Sequence, residues 1–505
     1  MTDIIRVPPD DKYNRELIQN VHPEDWINPS PAEKYDLVVI GAGTAGLISA
    51  LGGAQLGART ALIERRLLGG DCLNFGCVPS KALISASRWI YDCHHVETFG
   101  GLSCGIQVDF PGIMERMRRL RTEISIHDSA ERLKKEGIDV FLGNAKFAAE
   151  DSVLVDGKML YFSKAVIATG ASPFVPPIEG LKESGFVTNE TVFSMAKRPE
   201  HLLVLGGGPL GCELAQVFRR FHSEVTIVQL EDQFLPREDK DAAGILHEQF
   251  VKEGIKIHFG ATLSNVKTND DIKICRIKKD NKEFNVEVDE ILVATGRAPN
   301  VMDLELEQAG VEYDKKKGIK VDNHLMTTNS SILSCGDVCL NYKFTHVADA
   351  TARIAIQNAL TPLKGKKSDL VIPWCTYTDP EIAHTGLYKH QAEEEGIEID
   401  TYMKPFEEID RSILESETEG FVKVHVKKGT DRILGATIVG RGAGDMISSL
   451  TMAITNGIGL KKIAKTIFPY PTKAEAVRKV TDEYQSSRLS PRIRKVLKWW
   501  IKHVD

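Results

Sequence analysis

Two segments of this chain follow one plan: an apolar strand, a Gly-x-Gly-x-x-Gly turn, a helix and a second apolar strand. The first runs through Asp36-Leu37-Val38-Val39-Ile40, then Gly41-Ala42-Gly43-Thr44-Ala45-Gly46, then Ala61-Leu62-Ile63-Glu64. The second runs through Leu202-Leu203-Val204-Leu205, then Gly206-Gly207-Gly208-Pro209-Leu210-Gly211, then Val225-Thr226-Ile227-Val228. Such glycines permit a tight turn and let a pyrophosphate approach the backbone at a helix N-terminus. A lone fingerprint says little. Two copies, each in strand–turn–helix context, predict two dinucleotide-binding folds. Each is followed by a short apolar strand ending in Ala-Thr-Gly, at Ala168-Thr169-Gly170 and Ala294-Thr295-Gly296.

Just past the first unit lies Gly69-Gly70-Asp71-Cys72-Leu73-Asn74-Phe75-Gly76-Cys77-Val78-Pro79-Ser80-Lys81. Two cysteines at this spacing can close a small disulfide ring at the first turn of a helix. The helix N-terminus then favours a thiolate on the later cysteine. A dinucleotide fold immediately upstream supplies an electron donor, so the pairing predicts a redox enzyme.

The rest of the chain sets bounds. At 505 residues it has room for about three domains. A net charge of -6 gives no reason to expect nucleic acid. No apolar run is long enough to span a membrane, and the first residues lack a secretory pattern. Nine scattered cysteines are too few for a disulfide scaffold, which points to a cytoplasmic protein whose only disulfide is catalytic. Residues 1–33, polar and proline-bearing, read as an extended arm. Residues 110–136 read as one long helix. After about residue 370 the glycine fingerprints stop and an α+β pattern begins.

Together the dithiol, the two fingerprints, the two Ala-Thr-Gly strands and Ser334-Cys335-Gly336-Asp337-Val338 resemble the flavoprotein disulfide reductases, the family of lipoamide dehydrogenase, glutathione reductase and mercuric reductase. The resemblance runs from about Tyr35 to about Gln485. It implies an α/β fold of two Rossmann-like domains plus a C-terminal α+β dimerisation domain. The expected division is 1–33 arm, 34–180 and 298–370 FAD domain, 181–297 NAD(P)H domain, 371–485 dimerisation domain and 486–505 tail.

The resemblance also assigns roles. Gly41, Gly43, Thr44, Ala45, Gly46 and Glu64 would hold FAD, joined by Gly70, Thr169, Gly170, Gly336, Asp337 at the ribitol, and Ala348 in His346-Val347-Ala348 beside the isoalloxazine. Gly206, Gly208, Gly211, Gln229 and Gly296 would hold the nicotinamide dinucleotide. At Gln229 no arginine is available to pair a 2′-phosphate, the nearest being Arg237, which leans towards NADH. Cys72 would be the interchange thiol and Cys77 the charge-transfer thiol. Lys81 would sit near the flavin, paired with Glu213. Tyr470 and Glu475 would reach the dithiol of the other subunit in a homodimer.

Departures from the family pattern concern the electron acceptor. Members that reduce organic disulfides carry a histidine directly before Pro-Thr near the C-terminus. Here the run is Phe468-Pro469-Tyr470-Pro471-Thr472, with Glu475 following. A phenol with pKa ~10 is a poor proton shuttle at neutral pH. The mercuric reductases have a tyrosine in the same Phe-Pro-Tyr setting, and a thiolate-bound soft ion needs no such base. Residues 1–34 hold no Gly-Met-Thr-Cys-x-x-Cys run, and residues 485–505 hold no cysteine to relay an ion inward. Candidate acceptors are therefore a soft metal ion, a quinone or a small molecule, with an organic disulfide as the alternative. Asp71 stands where many relatives have threonine, and its charge should raise the thiol pKa values. No resident metal site is expected: Cys93, His94 and His95 read as surface or packed residues for want of a fourth ligand. Cys335 reads as core.

Residues 488–505 place Ile493, Val496, Leu497, Trp500, Ile501 and Val504 on one helical face, with Arg492, Arg494, Lys495, Lys498 and Lys502 largely off it. Such a helix suits an anionic membrane surface, or packs its apolar face on the dimer. The first case makes the protein a peripheral electron-transfer component serving a membrane or protein partner.

Overall fold

The computed structural model describes residues 5–102 and 105–503. The chain divides into two compact units. One comprises Met1–His94, Ser103–Leu230 and Lys256–Leu370; the other comprises His95–Leu102, Glu231–Ile255 and Val371–Asp505.

In the first unit the strand Tyr35–Ile40 lies between Thr60–Glu64 and Lys158–Ile167, all parallel. Ile138–Leu142 extends the sheet beyond Thr60–Glu64, and Ile332–Ser334 pairs in parallel with Lys158–Ile167. The near-continuous apolar runs seen in the sequence are what a sheet covered on both faces requires. Val39, Leu37 and Leu62 point to one buried cluster, and Val38, Ile40 and Ala61 to the other. The second dinucleotide fold is a four-stranded parallel sheet built around His201–Leu205, flanked by Glu224–Val228 and Glu290–Val293. An antiparallel sheet of Ala261–Asn269, Ile272–Lys279 and Lys282–Val288 is inserted in the chain before Glu290–Val293. The second unit holds a five-stranded antiparallel sheet covered by the helices Ala443–Thr455 and Glu475–Arg488.

Two local expectations change. The stretch read as an extended arm contains a helix, Lys12–Val21, whose Asp11 side chain accepts a hydrogen bond from the Asn14 N–H. Leu17 and Val21 are fully buried in the first core, and this burial offsets the weak local signal. The single helix expected over 110–136 is two, Phe110–Ser125 and Ala130–Lys135, parted by a short 3₁₀ turn. Ser129 leaves helical geometry and caps the second helix by accepting from the Arg132 N–H. The C-terminal tail forms a helix, Pro491–His503, started by Ser490, and none of its residues is buried in the chain. Among the described residues no helix is long and apolar enough to cross a membrane.

Candidate active site

Strand Tyr35–Ile40 ends in a turn that only glycine can make. At Gly41, φ is +95°, and an added Cβ would lie 2.5 Å from the Ala168 carbonyl oxygen. At Gly46 an added Cβ would lie 1.7 Å from the Gly41 carbonyl oxygen. The second fingerprint repeats this geometry at Gly206 and Gly211. Gly43 and Gly208 start the helices Thr44–Gln55 and Pro209–Arg220, and no side chain caps either N-terminus. An added Cβ at Gly43 would meet nothing nearer than 3.8 Å, and at Gly208 nothing within 4 Å. Each turn thus leaves open space beside unsatisfied N–H groups, which is what a pyrophosphate needs.

The acidic residue and its counterpart are held alike. Glu64 Oε2 accepts from the Ala42 N–H at 2.7 Å and Oε1 from the Arg66 N–H at 2.7 Å. Gln229 Oε1 accepts from the Gly207 N–H at 2.6 Å. Both side chains lie at the end of the second strand and touch the middle of their own fingerprint. Burial raises the pKa of Glu64, against the pull of these N–H donors. The first carries a carboxyl and the second an amide at the same place in the motif.

Other cofactor candidates converge on the first turn. Gly336 packs so closely on the Thr44–Gln55 helix that its Cβ would sit 3.1 Å from that of Ala45 and 3.6 Å from that of Ala348. Gly70 abuts Gly43, where a Cβ would come within 2.5 Å of the Gly43 Cα. Thr169 Oγ1 donates to the Asn300 carbonyl at 2.7 Å, and Asn300 Nδ2 returns a bond to the Thr169 carbonyl. Gly170 and Gly296 both adopt positive φ at the crossovers joining the two dinucleotide folds.

Cys72 lies in the short helix Gly70–Phe75, and Cys77 opens the helix Cys77–His94. Both are free thiols hydrogen-bonded to each other. Cys77 Sγ also lies 3.2 Å from Thr345 Oγ1, in the first turn of the helix that carries His346 and Ala348. The hydrogen bond from Cys72 lowers the pKa of Cys77 to about 6, helped by Thr345 and the Lys81 charge and opposed by burial. The same thiol pair places the proton on Cys72, whose pKa is raised first by that hydrogen bond and then by burial. Asp71 acts in the expected direction on both sulfurs, yet it is the last of the contributors.

Asp71 belongs to a network that the sequence did not disclose. Its Oδ2 lies 3.2 Å from Arg297 Nη1, and its Oδ1 accepts from Asn189 Nδ2 at 2.8 Å. Arg297 Nε lies 3.8 Å from an Asp337 oxygen. Arg297 directly follows the second Ala-Thr-Gly, which is the signal that could have marked it. Thr345 carried no signal: its role depends on a sulfur 268 residues away.

Lys81 and Glu213 meet at 2.7 Å, with the Glu213 side chain only 5% exposed. The helix Pro209–Arg220 therefore brings its carboxylate to the dithiol helix. In the second unit Tyr470 is 69% exposed, and its hydroxyl donates to Asp410 Oδ2 at 2.9 Å. That bond raises the tyrosine pKa above its ordinary 10.0. Glu475 opens the helix Glu475–Arg488, with Lys479 Nζ 3.6 Å from its Oε2.

A family model described as pyridine nucleotide-disulphide oxidoreductase matches residues 35–352, and the corresponding dimerisation domain matches residues 372–481. A mercuric reductase of Lysinibacillus sphaericus is 34% identical over 447 residues, covering 88% of this chain and 82% of its own length. A dihydrolipoyl dehydrogenase of Bacillus subtilis is 33% identical over 446 residues, covering 87% and 94%. Among solved structures, the HOCl-induced flavoprotein disulfide reductase RclA of Escherichia coli superposes with a TM-score of 0.78 at 28% identity, covering 89% of this chain and 99% of that one.

Proposed function

Since the chain belongs to the pyridine nucleotide-disulphide oxidoreductases and is an FAD-dependent enzyme of that family, we propose that its Cys72–Cys77 dithiol passes two electrons from NADH to a soft metal ion. The residues at the first fingerprint suit FAD: an uncapped helix N-terminus, glycines that no side chain could replace, and Glu64 fixed at the ribose position. FAD, when bound, supplies the redox relay between nicotinamide and dithiol. The fold division follows from this reading: residues 34–180 and 298–370 serve FAD, 181–297 the nicotinamide dinucleotide, and 371–485 dimerisation.

Each side chain then has a task. Lys81 and Glu213 hold a charge pair beside the dithiol. Thr345 and Cys72 donate hydrogen bonds to the Cys77 thiolate, which keeps it ionised at neutral pH. Cys72 keeps its proton and faces the acceptor. Two electrons and one thiol proton, that of Cys72, leave the thiol–thiolate pair as it closes to the disulfide; an Hg²⁺ ion bound by the sulfurs takes both electrons and departs as the metal. NADH, whose hydride brings two electrons and one proton, restores the thiol–thiolate pair with no further proton from solvent. Gln229 favours NADH, because a neutral amide bonded to its own backbone offers no cation for a 2′-phosphate.

Tyr470 carries the choice of acceptor. A phenol hydrogen-bonded to Asp410, with its pKa raised, cannot return a proton to a leaving thiolate at pH 7. Reduction of an organic disulfide needs that proton. A soft ion does not. The test is NADH oxidation by the holoenzyme with Hg²⁺ in excess thiol, glutathione disulfide, lipoamide and a quinone in parallel. Turnover with Hg²⁺ and little with either disulfide is expected; efficient turnover of glutathione disulfide or lipoamide would overturn the reading. Tyr470 and Glu475 act on the dithiol of the other subunit, so a mixed dimer of Cys72→Ser and Tyr470→Phe subunits regains one intact site.

The tail helix supports a second reading. Arg492, Arg494, Lys495, Lys498 and Lys502 stand with exposed Ile493, Val496, Leu497, Trp500 and Ile501, and no acidic residue lies within Pro491–His503. This face suits an anionic lipid surface. Salt-sensitive sedimentation with anionic vesicles, lost on deleting residues 491–505, is the expected result; no sedimentation at low salt would refute it.

A further inference from the structure

The helix Cys77–His94 and the helix Pro209–Arg220 meet at three levels. Lys81 pairs with Glu213, the Arg220 guanidinium lies 3.9 Å above the Tyr91 ring, and His94 faces His222 just past the second helix. His94 and His222 approach with their Nε2 atoms 3.2 Å apart, and both residues are exposed. We propose that this histidine pair is a binding site for a borderline divalent transition ion such as Ni²⁺, Zn²⁺ or Cu²⁺, separate from the dithiol.

The spacing carries the argument. Two imidazole nitrogens each ~2.05 Å from one ion and set at the tetrahedral angle lie ~3.3 Å apart. The observed separation matches this without movement of either helix. Imidazole is a ligand that suits these ions. Two further features fit. His94 occupies the last turn of its helix, where the macrodipole favours a cation. His222 sits at φ +70° in a turn pinned by arginines: Arg198 Nη1 donates to the His222 carbonyl at 2.7 Å, and Arg219 Nη1 to the Ser223 carbonyl at 3.1 Å. The backbone that carries the ring is therefore held in place. The guanidiniums oppose a bound cation, and two protein ligands leave the remaining positions to water. An exchangeable ion is expected rather than a structural one. Among the described residues no cluster of three or more histidine, cysteine or acidic ligands exists, so the pair is a two-ligand site.

From Lys81 to His94 the helix rises ~20 Å. An ion here neither touches the sulfurs nor takes part in the transfer described above, and the test can separate the two. The probe is Ni²⁺, titrated calorimetrically into oxidised holoenzyme, in which the disulfide withholds both sulfurs. One site per subunit is expected. Affinity should fall at least ~100-fold in His94→Gln and likewise in His222→Gln, more than the ~10–100-fold that loss of a ligand's support costs. Cys72→Ser should bind as the wild type does. The flavin absorbance of each variant confirms that it has folded. A simple hydrogen bond between the two rings would give no Ni²⁺ uptake, or uptake unchanged in both histidine variants, and either result would overturn the proposal.

Discussion

The acidity of Cys77 offers the sharpest test of how the site is built. Its thiol lies at about 6 in place of the ordinary 9.0, a difference worth ~4 kcal/mol in favour of the thiolate. The largest contributor is the hydrogen bond from Cys72. Cys72→Ala removes that donor and leaves Thr345 and Lys81 in place. A hydrogen bond to a charged group is worth ~1.5–3 kcal/mol, or ~1–2 pH units, so the midpoint should rise to ~7–8. The assay is the pH dependence of iodoacetamide alkylation of the reduced holoenzyme. The reactive thiolate exists above the midpoint, so the rate falls as pH drops through about 6 in the wild type. At pH 6 the thiolate fraction should fall from ~50% to ~1–10% in the variant. The midpoint is the quantity to compare, because a more basic thiolate is also intrinsically more nucleophilic and lifts the plateau. A wild-type midpoint near 9, or an unchanged midpoint in Cys72→Ala, would refute the reasoning.

Other expectations rest on single contacts. Asp71→Asn should lower the Cys77 midpoint, since its carboxylate opposes the thiolate; a rise would show that the Asp71 charge is not what acts on Cys77. Gly46→Ala should yield protein without flavin absorbance, because the added methyl would overlap the Gly41 carbonyl; normal flavin content would show that the turn relaxes. Tyr470→His should raise turnover of organic disulfides several-fold, read as kcat/KM with lipoamide; no gain would place the missing proton elsewhere.

The fingerprints were legible because their chemistry is local. A strand, a glycine turn and a helix lie within Tyr35–Gln55, and the carbonyl that excludes a side chain at Gly46 is that of Gly41 in the same turn, although the one that excludes a side chain at Gly41 is that of distant Ala168. The Cys72–Cys77 pair was legible for the same reason, as was the helix N-terminus at Cys77. The pairing of Lys81 with Glu213 could be expected only through the family resemblance, since 132 residues separate them. The helix Lys12–Val21 was missed because a short, polar segment has weak propensity of its own; Leu17 and Val21 make it stable by entering a core assembled from distant strands. The Asp71–Arg297 pair, the Thr345 bond to Cys77 and the opposed rings of His94 and His222 were not legible at all. Each joins residues more than 100 positions apart, and nothing at either position announces the other. The sequence by itself determined which backbone turns could bind a dinucleotide and where the dithiol stands. Only the tertiary structure decided which charges and donors surround those sulfurs, because hydrogen bonding and Coulomb energy fall off over a few ångströms in space and are blind to distance along the chain.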